Sequence, residues 1–367
     1  MADHSVKVIC MSTHKHPFSA NKIPDEILQS TGMEGIEVDT RLKPMDALVN
    51  LFSSRSYHIE RFYNRSFEKR LIEILGEAEY DIIQLESIFC APYLDAIREH
   101  SKAKVVVRAH NIEFKIWEQL ALQEGNPIKS WYLRLLSKRL KRYEISVLQQ
   151  VDAIVPITPE DKQGLELLGV TKPMEVIPIG IDVSEVNAVP LKTDKLRIYH
   201  LGAMDWKPNV LAMEWFLTNV WKEISSSNHN VSLSIAGRQM PESLLTQSKG
   251  NLSVYGEVSD LNAFLSDKNV AVVPLFAGSG MRVKIVEAMA HGKVVVTTRL
   301  GATGIPFENR KNLLIADSQD EFVEILTSLS ADLKRILTIG NEARKLAELE
   351  FDLKKLSSKL TYFYANL

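Results

Sequence analysis

Along almost the whole chain, short apolar runs alternate with longer stretches whose apolar residues recur every three to four positions. The runs predict strands at Val6–Met11, Asp81–Leu85, Lys104–Ala109, Asp152–Ile157 and Met174–Pro178. A second series follows at Leu196–Leu201, Val231–Ala236, Asn251–Tyr255, Val270–Leu275 and Lys293–Thr298. Many are continuous Val/Ile/Leu stretches, as expected of parallel strands buried on both faces by helices. The βαβα alternation implies an α/β fold of two doubly wound parallel-sheet units. The Gly, Pro and Asp punctuation of IGIDVSEVNAVPLKTD places a joint near Gly180–Asp194. The resulting division is residues 1–183, a linker at 184–194, a second domain at 195–350 and a terminal segment at 351–367. Leu353, Leu356, Leu360, Phe363 and Tyr364 make that last segment an amphipathic helix, which either caps the second domain or crosses back to the first.

Composition narrows the function classes. The chain has 367 residues, 45% hydrophobic and 25% charged, which is ordinary globular usage. A formal net charge of −2 argues against nucleic acid as a partner. Cys10 and Cys90 form no CxxC pair, so neither a disulfide framework nor a zinc signature is present, and a cytoplasmic home is expected. No apolar run reaches the roughly 20 residues of a membrane span, and the N-terminus lacks a signal-peptide pattern.

The most informative stretch is FAGSGMRVKIVEAMAHG, residues 276–292. It predicts a helix from about Gly280 to His291, with Ser279 as N-cap and Gly292 just past the end. A helix N-terminus offers free N–H groups and partial positive charge, so Arg282 and Lys284 are unfavourable there unless an anion joins them. Two readings stand: a phosphate site of the kind helix N-termini supply, or two solvated surface cations. Glu287 borders the apolar stripe of the same helix and is suited either to a ribose diol or to an ion pair with Lys284.

The run SGMRVKIVEAMAHGKVVVTT resembles the donor-binding signature of glycosyltransferase family 4, the group 1 glycosyl transferases. Glu287 matches the second of the family's two glutamates, and Ser279 stands in place of the first. YHLGAMDWKPNV resembles the strand and glycine loop that open the second domain, with Gly202 as that glycine. Ala203 replaces the usual arginine, and Lys207 is the nearby cation. LSIAGRQMP resembles the next strand and turn, with Arg238 as a further phosphate candidate, and in LSVYGEVSDLNAFLSDKNVAVVPL Glu257 and Val258 fall where the backbone faces the base. KVVVRAHNIEFKIW, RYEISVLQQVDAIVPITPED and MEVIPIGID follow in the family's order. The resemblance implies a GT-B fold, two Rossmann-like domains facing a cleft. It also implies a retaining transfer of a sugar from a nucleotide diphosphate sugar, with no metal and no other cofactor. Ser279, Gly280, Met281, Arg282 and Lys284 are its implied donor contacts, with Glu287 on the ribose.

In the first domain His110 ends a predicted strand, where open sheets place reacting groups. Alone it reads as an ordinary core or surface histidine; the resemblance makes it catalytic. Arg108 lies on the same strand face as an acceptor-side candidate, and Asn111 is expected to cap the next helix. KSWYLRLLSKRLKR, residues 129–142, has six basic residues and no acidic one. It reads either as a basic amphipathic helix resting on anionic lipid at the inner membrane face or on an acidic acceptor, or as a core-packed helix with a solvated cationic face. After Val6–Met11 comes STHKHPFS, without the glycine-rich loop with which the family usually opens, so that opening strand, loop and first helix are expected to be missing. His14, Lys15 and His16 form either a substitute anion loop or a solvated turn. The leading function is a glycosyltransferase acting on a glycan or lipid-linked acceptor, as in polysaccharide or glycolipid assembly. The rivals are a nucleotide-sugar-binding protein without catalysis and a nucleotide-sugar epimerase. No GxGxxG follows any strand, which argues against a nicotinamide enzyme.

Overall fold

The structure is a computed structural model that describes residues 4–367 except 44, 46–49, 51–52, 54, 187–193, 228–229 and 279. The linker therefore lies mostly outside the described residues, and Ser279 lies wholly outside them. The chain divides into two compact units. One holds Met1–Pro156, Asp161–Glu175 and Asn366–Leu367; the other holds Ile157–Glu160 and Val176–Ala365.

In the first unit, β1 (Ile9–Ser12) pairs parallel with β2 (Glu34–Glu37). Separately, β3 (Ile82–Leu85), β4 (Lys104–Ala109) and β5 (Ala153–Pro156) form a parallel sheet in that order. The two sheets share one apolar core, where Ile9, Met11 and Ile36 pack with Leu85, Val105 and Ile154. The expected strand at Met174–Pro178 is not formed. Met174 makes one parallel bridge to Ile154, and the chain then passes into the second unit. His14, Lys15 and His16 are exposed in a turn closed by the Thr13 N–H donating to the His16 carbonyl at 3.1 Å.

In the second unit, β6 (Leu196–Leu201), β7 (Val231–Ala236), β8 (Leu252–Val254), β9 (Val270–Val273), β10 (Val294–Thr297) and β11 (Leu314–Ile315) form one parallel sheet. Its order is β11-β10-β9-β6-β7-β8. This is the Rossmann order, two βαβαβ halves diverging from a central pair, and ligands of such sheets sit beyond the C-terminal strand ends where the order reverses. Here that point lies between β6 and β9. Every residue of β9 and β10 is buried, with one apolar cluster on each face of the sheet, which explains why these strands read as unbroken Val runs.

Residues 176–183, which the sequence pattern put in the first domain, belong to the second unit. Ile181 bridges Asp352, and the Lys359 ammonium donates to the Val176 carbonyl at 3.0 Å. The terminal helix Leu353–Ala365 thus packs on its own unit's entry segment. Gly180 permits this: a Cβ there would lie 3.2 Å from the Leu353 Cα. Among the described residues no helix is long and apolar enough to cross a membrane.

Candidate functional site

Two loops and one helix meet beyond the ends of β6 and β9. The helix is Val283–Ala290, shorter than the sequence predicts. Its N-cap is Arg282, with extended φ and ψ and no side-chain cap. Gly280, at φ 78°, lies in the loop before it, so the first turn begins three residues later than expected. The end is as read: Gly292 adopts φ 69°, and its N–H donates to the Met289 carbonyl at 2.9 Å.

Arg282 is only 6% exposed. Its Nη1 donates to the Gly280 carbonyl at 2.8 Å, and its guanidinium lies 5.2 Å from the Trp206 ring centroid. A solvated surface cation is therefore the wrong description. Lys284 also turns inward: its Nζ donates to Asn209 Oδ1 at 2.7 Å, and Asn209 Nδ2 donates to the Ala203 carbonyl at 2.8 Å. Burial, with Arg282 adding to it and Glu287 opposing, brings the Lys284 ammonium down to about 7. Glu287, one turn on, makes no ion pair with Lys284 among the described residues. Burial raises its carboxyl pKa against the pull of Lys284. Lys284 and Glu287 both line a small cleft with Tyr199, Leu201, Leu261 and Val273. Beneath Gly202, buried His200 points Nδ1 at the Val272 carbonyl, 2.8 Å away, and its Nε2 has no hydrogen-bond partner. Burial and Lys284 push its pKa down to about 3, so it is neutral.

The other expected donor contacts scatter around this centre. Met281 is 7% exposed and its side chain packs in the apolar core, leaving only its backbone to face a ligand. Gly202 follows β6 closely, and the Gly237 N–H, just past β7, donates to the Gly256 carbonyl at 3.0 Å. Lys207 is exposed in the first turn of the helix Lys207–Phe216. Arg238 is exposed and already paired with Asp205 at 2.9 Å. Glu257 and Val258 lie in the loop after β8.

In the first unit, His110 follows β4 directly, and its Nε2 lies 3.2 Å from Glu86 Oε2. Arg108 Nε lies 3.9 Å from the same oxygen. Burial alone would raise the Glu86 pKa, but the contacts with His110, Arg108 and Gln84 outweigh it and the net shift is downward. An ionised carboxylate only accepts, so His110 carries a proton on Nε2 in this contact. Asn111 does not cap the following helix Glu113–Gln123, whose N-cap is Ile112. The capping is done from far along the chain: the N–H groups of Glu113 and Phe114 donate to the two oxygens of Glu144, at 3.0 and 3.1 Å. Burial lifts the Glu144 carboxyl to about 7.

Comparison with known proteins agrees with this architecture. The model of Glycosyltransferase Family 4 matches residues 2–185, and that of Glycosyl transferases group 1 matches residues 195–332. The chain belongs to this glycosyltransferase family. An uncharacterized 44.6 kDa protein in cps region of Klebsiella pneumoniae is 23% identical over 306 residues, covering 79% of this chain and 76% of that one. Among solved structures, sucrose-phosphate synthase from Thermosynechococcus elongatus superposes with a TM-score of 0.66 at 14% identity, covering 98% of each chain. Anabaena HepE in complex with UDP gives 0.69 at 14% identity, covering 99% of this chain and 100% of that one. Trehalose 6-phosphate synthase from Burkholderia multivorans gives 0.63 at 12%, covering 99% of each. The fold is GT-B.

Within this glycosyltransferase the structure brings Arg282, Lys284, Glu287 and Gly202 together, and separately His110 with Arg108. Sequence reasoning did not single out Trp206, Asn209, His200, Glu86 or Glu144. Asn209 left a signal, a polar residue in the first turn of a helix on the buried side with Ala212, Met213 and Phe216, and Glu86 left one at a strand end. Glu144 left none, because what it caps is 31 residues away.

Proposed function

We propose that the enzyme moves a sugar from a nucleotide diphosphate sugar to an acceptor hydroxyl with retention at the anomeric carbon. One observation carries this reading: two inward-held cations, Arg282 and Lys284, at a helix N-terminus beyond the switch point of a Rossmann-ordered sheet. The negative charge that develops on a leaving diphosphate is the main cost of such a reaction, and fixed cations with free N–H groups stabilise it without reorganising. Glu287, with its raised pKa beside the same cleft, is the proposed partner of the ribose hydroxyls. His110, oriented by Glu86, is the proposed polar group at the reacting sugar. The acceptor is proposed to be a glycan or lipid-linked glycan, with polysaccharide or glycolipid assembly as the setting and a peripheral contact with anionic membrane. HepE, solved with UDP-glucose, supports a UDP donor as the first to test.

A thermal-shift screen over UDP, GDP, ADP and their sugars identifies the base, since a ligand that binds the native state raises its melting point. NMR of the product made from an α-linked donor then reads the stereochemistry. An α product supports retention, and a β product removes it. Donor isomerised without acceptor would assign an epimerase instead.

A further inference from the structure

The helices Glu113–Gln123 and Pro127–Leu148 form an antiparallel pair joined by a short loop at residues 124–126. Ser130 Oγ donates to the Ala121 carbonyl at 2.7 Å, Ser137 Oγ to the Phe114 carbonyl at 3.0 Å, and Glu144 caps the far end. The pair is thus fixed along its length, and its turn is held in one place. At that turn the usual burial of apolar side chains fails: Leu122 is 71%, Ile128 76%, Trp131 60% and Leu120 44% exposed. Single exposed apolar residues are ordinary, but four gathered at one turn mark a contact surface.

The charges beside them indicate what covers this surface. Of the six basic residues at 129–142, Arg139 donates to the Asn50 carbonyl and Oδ1, and Lys141 lies 5.0 Å from the Phe114 ring centroid. The other four, Lys129, Arg134, Lys138 and Arg142, are exposed. Arg134, Lys138 and Arg142 recur every fourth residue and so share one helix face running back from Trp131. Exposed Glu118 and half-buried Glu124 are the acidic residues near the turn. An amphipathic tryptophan and long aliphatic side chains backed by a cationic stripe suit a bilayer interface, where the ring sits among headgroups and the cations meet anionic phosphates. We propose that this helical turn docks the enzyme on an anionic lipid bilayer, with Leu122, Ile128 and Trp131 entering the headgroup layer and the four cations lying over it. The inference rests on and deepens the membrane contact proposed above, and it is independent of the donor reading.

The test is flotation of the full chain with vesicles of phosphatidylcholine containing phosphatidylglycerol, against pure phosphatidylcholine vesicles. Two variants are compared with wild type: Lys129→Glu/Arg134→Glu/Lys138→Glu/Arg142→Glu, and Leu122→Ser/Ile128→Ser/Trp131→Ser. All of these side chains are exposed, so both variants should fold, with circular dichroism and melting point as controls. Wild type is expected to float with the anionic vesicles and stay behind with the neutral ones. Each variant is expected to lose partitioning by at least about tenfold. Wild type that fails to float with anionic vesicles overturns the proposal, as do folded variants that float as well as wild type. Loss of a dimer in the serine variant with vesicle binding unchanged would assign the turn to a second copy, and overturns it too.

Discussion

Lys284 is held at about 7, well below an ordinary lysine, because of its burial and the nearby Arg282. In the free enzyme its charged form is therefore disfavoured near neutral pH. A bound diphosphate favours the charged form, so binding takes up a proton, and affinity falls as pH rises above about 7. At pH 8 the nucleotide's own terminal phosphate, which titrates near 6, is silent. Calorimetry in two buffers of different ionisation heat at pH 8 should show uptake for wild type and none for Lys284→Met. The Glu144 pKa is shifted in the other direction, upward. Its carboxyl is raised from 4.5 to about 7, so between those values the native state holds more protons than the unfolded chain. Stability should therefore fall as pH rises through that window. Glu144→Gln keeps one acceptor oxygen for the helix N–H groups and should flatten this fall. Glu144→Ala leaves the Glu113 and Phe114 N–H groups without their acceptor and should cost about 1–3 kcal/mol, read by urea unfolding across pH. A pH-independent wild type would refute the assignment. Neither residue's environment could be read locally. The spacing of Arg282, Lys284 and Glu287 was legible, but Lys284 is held inward by Asn209 and lies close to Gly202, both far away in sequence.

Two neighbouring loops after β6 and β7 show how element geometry sets the site. A Cβ on Gly237 would lie 1.8 Å from the Gly202 carbonyl oxygen, a backbone atom that cannot yield. A Cβ on Gly202 would instead lie 2.6 Å from Lys284 Nζ, the end of a flexible side chain. The two alanine substitutions should therefore separate. Gly237→Ala should lower stability by more than about 2 kcal/mol, within the tail reserved for steric conflicts. Gly202→Ala should fold near normally and weaken nucleotide binding at least several-fold by displacing Lys284. Melting points and binding isotherms of the pair check this; equal effects on stability would contradict it. Elements with unbroken apolar runs, such as β9 and β10, were legible because burial on both faces leaves no polar positions. β2 (Glu34–Glu37) was not, since EGIE carries two glutamates and a glycine on a half-buried strand. The start of the helix at Val283 was misplaced because Gly280 takes a left-handed conformation that keeps the preceding loop out of the helix.

At the scale of the whole molecule, periodicity and alternation sufficed for an α/β chain with parallel sheets, and the family motifs in their order sufficed for GT-B. The connection at 176–183 was less legible. Its apolar residues satisfy a strand pattern, yet the partner that decides their unit is the terminal segment near Asp352, a pairing that no local pattern encodes. The proposed function rests on one part of the second unit: the reversal of strand order between β6 and β9, with Arg282 and Lys284 held inward on the loop and helix that follow β9. The most direct test is titration calorimetry of the nucleoside diphosphate that the thermal screen selects, with wild type and Arg282→Ala at pH 7 and low salt. The account predicts binding by wild type and a Kd weakened at least about tenfold in the variant, as expected for loss of a charge-assisted contact of roughly 1.5–3 kcal/mol. An unchanged Kd in a folded Arg282→Ala variant would contradict it.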